Sequence, residues 1–224
     1  MHIAFKQGLD KFDSLNYPDF QSDQIDLLLN QAQDTFVKQR YGANNVKRQS
    51  FEETQKRTED IKNIVVRSIL TPNANASDNI NQNSVFVTLP QDHWFIIQEL
   101  ATVEYLDCNG VNTNQSGTYI IAIQHNDYSK LIDNPFGKPT NDKVLRLMEK
   151  GRVELIPAPT SAIIDYHLTY IKQPQRISIV TPTNCEISEM THQEIVNLAV
   201  QIALEGIEAR RNQTFTPIVE SKQE

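Results

Sequence analysis

Cysteine, glycine and long apolar runs are scarce in this chain of 224 residues, and each scarcity removes a class of protein. Only two cysteines occur, Cys108 and Cys185, far apart, with no Cys-x-x-Cys and no histidine at ligand spacing. A disulfide framework and a zinc site are therefore not expected, and two reduced thiols are. Seven glycines and ten prolines exclude collagen-like and Pro/Gly-rich disordered chains. No apolar run approaches the roughly 18–20 residues of a membrane span. The opening residues lack a basic stretch followed by an apolar one, so no signal peptide is expected. The reading is of a soluble protein used inside a cell, or packaged from there. Basic charge is also short, with 21 Lys and Arg against 28 Asp and Glu and a formal net charge of −7. The chain as a whole carries no basic footprint for gripping nucleic acid.

Amides are abundant instead: 19 Asn and 19 Gln fill 38 of 224 positions. That frequency makes the Asn-x-Ser/Thr matches at Asn75, Asn114 and Asn212 uninformative.

The first third reads as helix. Ile3, Phe5, Leu9 and Phe12 make a short amphipathic segment. Ser22 and Asp23 offer a cap and a first-turn acid to a second helix. Its residues Ile25, Leu28, Leu29, Ala32 and Phe36 form one apolar stripe, and Gly42 suits a left-handed residue after its end. Ser50 with Glu53 forms a capping-box pattern opening a third helix over 50–69. This helix is highly charged and turns apolar only at Ile61, Ile64, Val65 and Ile69. Residues 71–83 carry no periodicity and many turn formers, so they are the expected internal boundary.

Beyond that boundary the pattern changes to period two with β-branched residues. Strands are expected at 85–89, 119–123, 152–156 and 163–171, while residues 94–105 fit neither the helix nor the strand template. Thr191 with Glu194 suggests a second capping box, opening a helix to about Arg210-Arg211. Its polar residues Glu194, Asn197, Gln201, Glu205 and Glu208 form one narrow stripe, so the helix is expected to be centrally buried. The expected class is α+β: N-terminal helices (1–70) and a long C-terminal helix (184–212) forming a helical bundle. A linker (71–83) and a β-rich module (84–183) lie between them, and an extended tail (213–224) follows. Ile25, Leu29, Phe36, Ile195, Leu198 and Ile202 are the expected core.

Catalytic signatures are missing: no phosphate-cradling glycine loop, no Gly-x-Ser-x-Gly and no His-Glu-x-x-His. His93 beside Asp92, and His125 near Asp127, are acid–imidazole neighbours, though both fall where loops are expected. Glu205 and Glu208 at i, i+3 lack the histidine of a carboxylate metal site. Lys38, Arg40, Lys47, Arg48, Lys56 and Arg57 form the densest basic region but are interleaved with Glu52, Glu53, Glu59 and Asp60. That is a mixed-charge face. Salt bridges to a partner subunit suit it as well as phosphate does. Glu52, Glu53, Arg57 and Glu59 are the candidate inter-subunit residues. No catalytic, cofactor or metal residue is assigned.

Two stretches resemble a known family. Residues 22–41, Ser-Asp-Gln-Ile-Asp-Leu-Leu-Leu-Asn-Gln-Ala-Gln-Asp-Thr-Phe-Val-Lys-Gln-Arg-Tyr, are similar to the opening helix of head–tail connector ring proteins of crAss-like tailed bacteriophages. The second stretch holds Tyr170-Ile171-Lys172-Gln173-Pro174, then Cys185-Glu186-Ile187, then His192-Gln193-Glu194-Ile195-Val196. It resembles the ending of the same proteins, as Asn134-Pro135-Phe136-Gly137-Lys138-Pro139 resembles an internal element. The resemblance implies a structural virion subunit, without cofactor, in a ring of twelve copies in the neck. It would join the portal to the tail and other ring proteins, with double-stranded DNA passing through the channel and no membrane partner. Such closure needs two different lateral faces. A small intracellular α+β enzyme built around His93 and His125, and a monomeric binding module, stand as alternatives.

Overall fold

The computed structural model describes residues 1–12, 20–42, 52, 54–73 and 80–206. In chain order the elements are α1 (His2–Phe12), α2 (Ser22–Tyr41), α3 (Gln55–Ile61), β1 (Val65–Leu70), β2 (Val85–Thr88), β3 (His93–Leu106) and β4 (Asn112–Ala122). They continue with α4 (Tyr128–Asp133), β5 (Lys143–Glu149), β6 (Arg152–Ile156), β7 (Ser161–Lys172) and α5 (His192–Gly206). The class is α+β. The chain divides into two compact units, one of Met1–Ile64 with Pro174–Glu224 and one of Val65–Gln173.

In the first unit α5 packs against α1 and α2. Phe5 and Leu9 from α1 are buried with Ile25, Leu29 and Phe36 from α2 and with Ile195, Leu198, Ala199 and Leu204 from α5. Ile202 is half-buried. Gly8 permits the close approach of α1 to α5, since a Cβ there would sit 2.8 Å from Val200 Cγ2. The helix ends differ from the sequence expectation. Gln21 rather than Ser22 caps α2, its N–H donating to Gln24 Oε1 at 3.0 Å. Gly42 is extended (φ −66°, ψ 148°), not left-handed, and its N–H donates to Lys38 O at 2.8 Å. Thr191 belongs to a 3-10 turn, Glu189–Thr191, and its hydroxyl donates to Ser188 O at 2.7 Å, so it does not cap α5.

The expected helix over 50–69 is divided. Helix persists only through α3, a 3-10 turn follows at Lys62–Ile64, and Val65–Leu70 is strand β1. Branched residues lose side-chain freedom in a helix and pack well on a pleated surface, and β7 offers that surface to Val65, Val66 and Ile69. The division between units therefore falls between Ile64 and Val65, ahead of 71–83. It recurs between Gln173 and Pro174. Ser50 and Glu53, the expected capping box, lie outside the described residues, as do Ile207, Glu208 and Arg210-Arg211.

The second unit is a mixed seven-stranded sheet in the order β1-β7-β3-β4-β5-β6-β2. Neighbours are antiparallel except β4 and β5, which run parallel and are joined through α4. A bridge between Asn73 and Phe86 ties the segment after β1 to β2, so the sheet curls back on itself. Its concave side holds Val85, Val87, Ala101, Val103, Val144, Val153, Leu155, Tyr166, Leu168 and Tyr170. Leu145, Leu147 and Ile156 point the other way and pack with Ile123 and Tyr128. Residues 94–105 are a strand. Register shifts between His93 and Phe95, between Ile96 and Gln98, and between Thr102 and Val103 break the period-two alternation, which is why they matched neither template. β5 lacks alternation because both its faces are covered.

Candidate functional site: buried polar clusters and exposed surfaces

Charge is concentrated inside the first unit around Arg40, which is only 2% exposed. Its Nε lies 2.8 Å from Asp60 Oδ2 on α3 and its Nη2 lies 2.5 Å from Glu194 Oε2 on α5. The guanidinium also stacks 4.7 Å from the Phe36 ring centroid. Lys56 Nζ approaches the second Glu194 oxygen at 3.9 Å. A buried guanidinium needs such partners, because leaving water costs several kcal/mol per ion. Part of the mixed-charge region thus serves the internal fold: Arg40, Asp60 and Glu194 pair within the chain. Of the candidate inter-subunit residues, Glu52 and Glu59 are exposed and Arg57 is half-buried, and Glu59 pairs with Lys62 at 2.5 Å. Glu53, Lys47 and Arg48 lie outside the described residues.

A second polar set lies along α2, one position over from its apolar stripe. The Asn30 side chain donates to Ile177 O at 2.9 Å and accepts from Ile177 N–H at 2.8 Å. Asp26 accepts from Ile179 N–H at 3.0 Å and pairs with His2 Nε2 at 2.6 Å. Gln33 donates to Gln175 O at 3.0 Å, and its carbonyl accepts from Cys185 Sγ at 3.2 Å. Burial pushes the Cys185 thiol pKa up, which keeps it a donor. Helix positions 26, 30 and 33 thereby serve alternate backbone positions 179, 177 and 175. Four helical residues rise about 6 Å and two extended residues about 6.6 Å, so the periods match. The longer Gln33 side chain takes up the three-residue step. Sequence reasoning missed this set. The available signal was a second stripe of short polar residues beside Ile25, Leu29 and Phe36.

In the second unit Glu99, Arg146 and Tyr166 meet on the concave side of the sheet. Arg146 Nη1 is 3.3 Å from Glu99 Oε1, and the Tyr166 hydroxyl donates to the same oxygen. Burial pushes the Glu99 carboxyl above the ordinary range, while Tyr166 and Arg146 pull it down. Burial drives the Tyr166 phenol strongly up, reinforced by the Glu99 carboxylate.

The histidines are spread out. His93 begins β3 rather than lying in a loop, with its ring 5.9 Å from that of Tyr170. Burial lowers its pKa, Asp92 opposes that shift and Arg146 adds to it. The Asp92 carboxylate accepts from the Tyr170 hydroxyl at 3.1 Å. His125 Nε2 lies 3.0 Å from Met148 O, His167 Nε2 3.0 Å from Thr102 Oγ1, and His192 Nε2 3.1 Å from Ile187 O. A cavity of about 460 Å³ opens in this unit beside Tyr105, Leu106 and Ile163, and neither His93 nor His125 is among its described lining residues. Among the described residues no group of three or more His, Cys, Asp or Glu could hold a metal ion, and no helix is long and apolar enough to cross a membrane. Both cysteines are free. What the surface displays is apolar side chains, Tyr119 at 71% and Phe136 at 92% exposure in the second unit. Two small units, each with its own buried polar cluster, and exposed aromatic rings on the second have the character of an assembly subunit.

The family agrees with that character. The chain belongs to the phage tail ring protein 3/4 family, whose model matches residues 3–214. Among curated relatives it is 29% identical to Ring protein 3 of Bacteroides phage crAss001 over 179 residues, covering 73% of this chain and 75% of the relative. It is 25% identical to Ring protein 4/5 of the same phage over 198 residues, 79% of each. The chain is thus a ring protein of a crAss-like phage, a structural component of the virion.

Proposed function

We propose that the chain is a non-enzymatic subunit of a ring in the phage neck, joining the portal to the tail and lining the channel through which the DNA passes, with twelve copies per ring. The observation that carries this reading is the family match over residues 3–214, with relatives named as ring proteins at both levels of identity. Net acidity supports it, since a channel wall dense in lysine and arginine would hold phosphate by counterion release and slow the DNA. A closed ring needs only weak pairwise contacts, because the last contacts to form are intramolecular. Glu52, Glu53, Arg57 and Glu59 fit such a lateral contact, exposed ion pairs contributing about 0–1 kcal/mol each. A reconstruction of the purified particle tests the proposal. Twelve copies between portal and tail are expected. Another copy number, a place elsewhere in the particle, or absence from the particle would overturn it in the corresponding part.

A further inference from the structure

Strand β4 carries an edge that the described chain leaves open. It pairs with β3 from Leu106 opposite Asn112 to Leu100 opposite Tyr119, but meets β5 only from Tyr119 to Ala122. Over residues 112–118, no described strand lies on the side away from β3. In an antiparallel strand about half the N–H and C=O groups point to that side. Such edges are usually guarded by charge, proline or a bulge. Asn112-Thr113-Asn114-Gln115-Ser116 contains neither charge nor proline. A bulge follows, where Ser116 and Gly117 oppose the single Thr102 and Gly117 adopts φ +82°, and it sets the lower limit of the edge. A hydrogen-bonded turn closes its other end. Asp107 accepts from Asn109 N–H at 2.7 Å and Val111 N–H at 2.9 Å, and Gly110 at φ +76° closes the β3–β4 turn.

Below the edge an aromatic ring is held outward by a built turn. Asn134 Oδ1 accepts from Phe136 N–H at 3.0 Å, and Asn134 O accepts from Gly137 and Lys138 N–H, each at 3.0 Å. Lys143 Nζ donates to Phe136 O at 2.8 Å. A Cβ at Gly137 would lie 2.9 Å from both Leu131 Cδ2 and Leu131 O, so the tight turn requires glycine. Lys143 is also the register partner of Tyr119, which places the two exposed rings on neighbouring parts of the β4–β5 surface.

We propose that this edge receives residues 214–219 of a second copy of the chain, added to the sheet as a further strand beside β4. The proposal rests on the ring reading, since a neighbouring copy supplies the strand. Eighteen residues, 207–224, follow the described part of α5. Residues 207–213 span up to about 23–25 Å when extended. Thr214-Phe215-Thr216-Pro217-Ile218-Val219 then offers branched and aromatic residues suited to a pleated surface. A single proline is tolerated in an outermost strand. The segment and edge residues 112–116 carry no charge of their own, the neighbouring charge being the Asp142 carboxylate that accepts from Gln115 Nε2 at 2.7 Å, and backbone pairing of this kind is an established mode of recognition. In a strand Phe215 and Val219 fall on one face, where they supply the apolar contact that Tyr119 and Phe136 lack.

The test uses the full chain in assembled particles and in solution. With Cys108→Ser and Cys185→Ser as background, Asn114→Cys and Thr216→Cys are combined and oxidised. A ladder of covalent oligomers from particles is expected. A closed monomer would mean that each copy uses its own segment and would overturn the proposal. In hydrogen exchange, residues 112–116 should exchange at least about tenfold more slowly in the ring than in the free subunit. Phe215→Asp should remove that protection while leaving the melting temperature of the free subunit unchanged. Rings in which 112–116 exchange as fast as in the free subunit would overturn the proposal and leave the ring reading standing. Failure of the wild-type chain to appear in particles would sink both.

Discussion

At the scale of single residues, stability hangs on buried charges with few partners. Arg40 balances Asp60 and Glu194, so Arg40→Ala removes the buried cation that joins them and leaves Glu194 only the more distant Lys56. Breaking a buried pair in this way costs about 3–5 kcal/mol, which a urea titration should show as a large fall in midpoint. Glu99 makes a pH-dependent case. Its folded pKa is raised, chiefly by burial, so the folded state holds its proton to higher pH than the unfolded state does. This contribution to stability is complete below the unfolded value, about 4.3, and is lost as pH rises through the folded value. Glu99→Gln removes the titration. The difference in stability between wild type and variant should therefore be flat below about pH 4 and change only above it. A difference that is constant from pH 4 to 8 would show that Glu99 does not titrate differently on folding.

At the scale of elements, α2 does two jobs with two adjacent stripes. One stripe fills the core, and the other reads the backbone of residues 175–179, which belong to no strand. Asn30→Ala leaves the Ile177 N–H and C=O without partners and should cost about 1–3 kcal/mol. Asn30→Asp should do no better despite its similar shape, because it sets an acceptor against Ile177 O. Equal stability of the aspartate variant and wild type at pH 7 would refute the two-way pairing. On α5, Leu198 is buried between helices, and Leu198→Ala should cost about 2–5 kcal/mol in the same titration. A loss under about 0.5 kcal/mol would mark α5 as peripheral.

At the scale of the whole molecule, assembly and folding draw on different charges. Arg40, Asp60 and Glu194 are consumed internally, whereas Glu52 and Glu59 are exposed. Reversing the charges of Glu52, Glu53, Arg57 and Glu59 together should lower the melting temperature by several degrees at most, the loss coming from half-buried Arg57 and from the exposed Glu59–Lys62 pair. The same variant should fail to enter particles. Normal incorporation would place the lateral contact elsewhere.

Local periodicity and composition were enough to determine the α+β class, the apolar stripes of α2 and α5 and four of the seven strands. These features depend on neighbours within a few residues, and such neighbours are legible in one dimension. The family was legible too, because residues 22–41 and 168–208 keep both a packing pattern and a chain position. Only the tertiary structure decided that Val65, Val66 and Ile69 extend as strand β1, since β7 lies almost a hundred residues away and its pairing overrode the helical pattern. It alone assigned Arg40 to Asp60 and Glu194, and Asn30 to Ile177, because a charge or an amide reads the same in sequence whether it meets water or a partner. And it alone left the β4 edge open among the described residues. Whether a strand has one neighbour or two follows from how the sheet closes in space, and no residue in the strand records it.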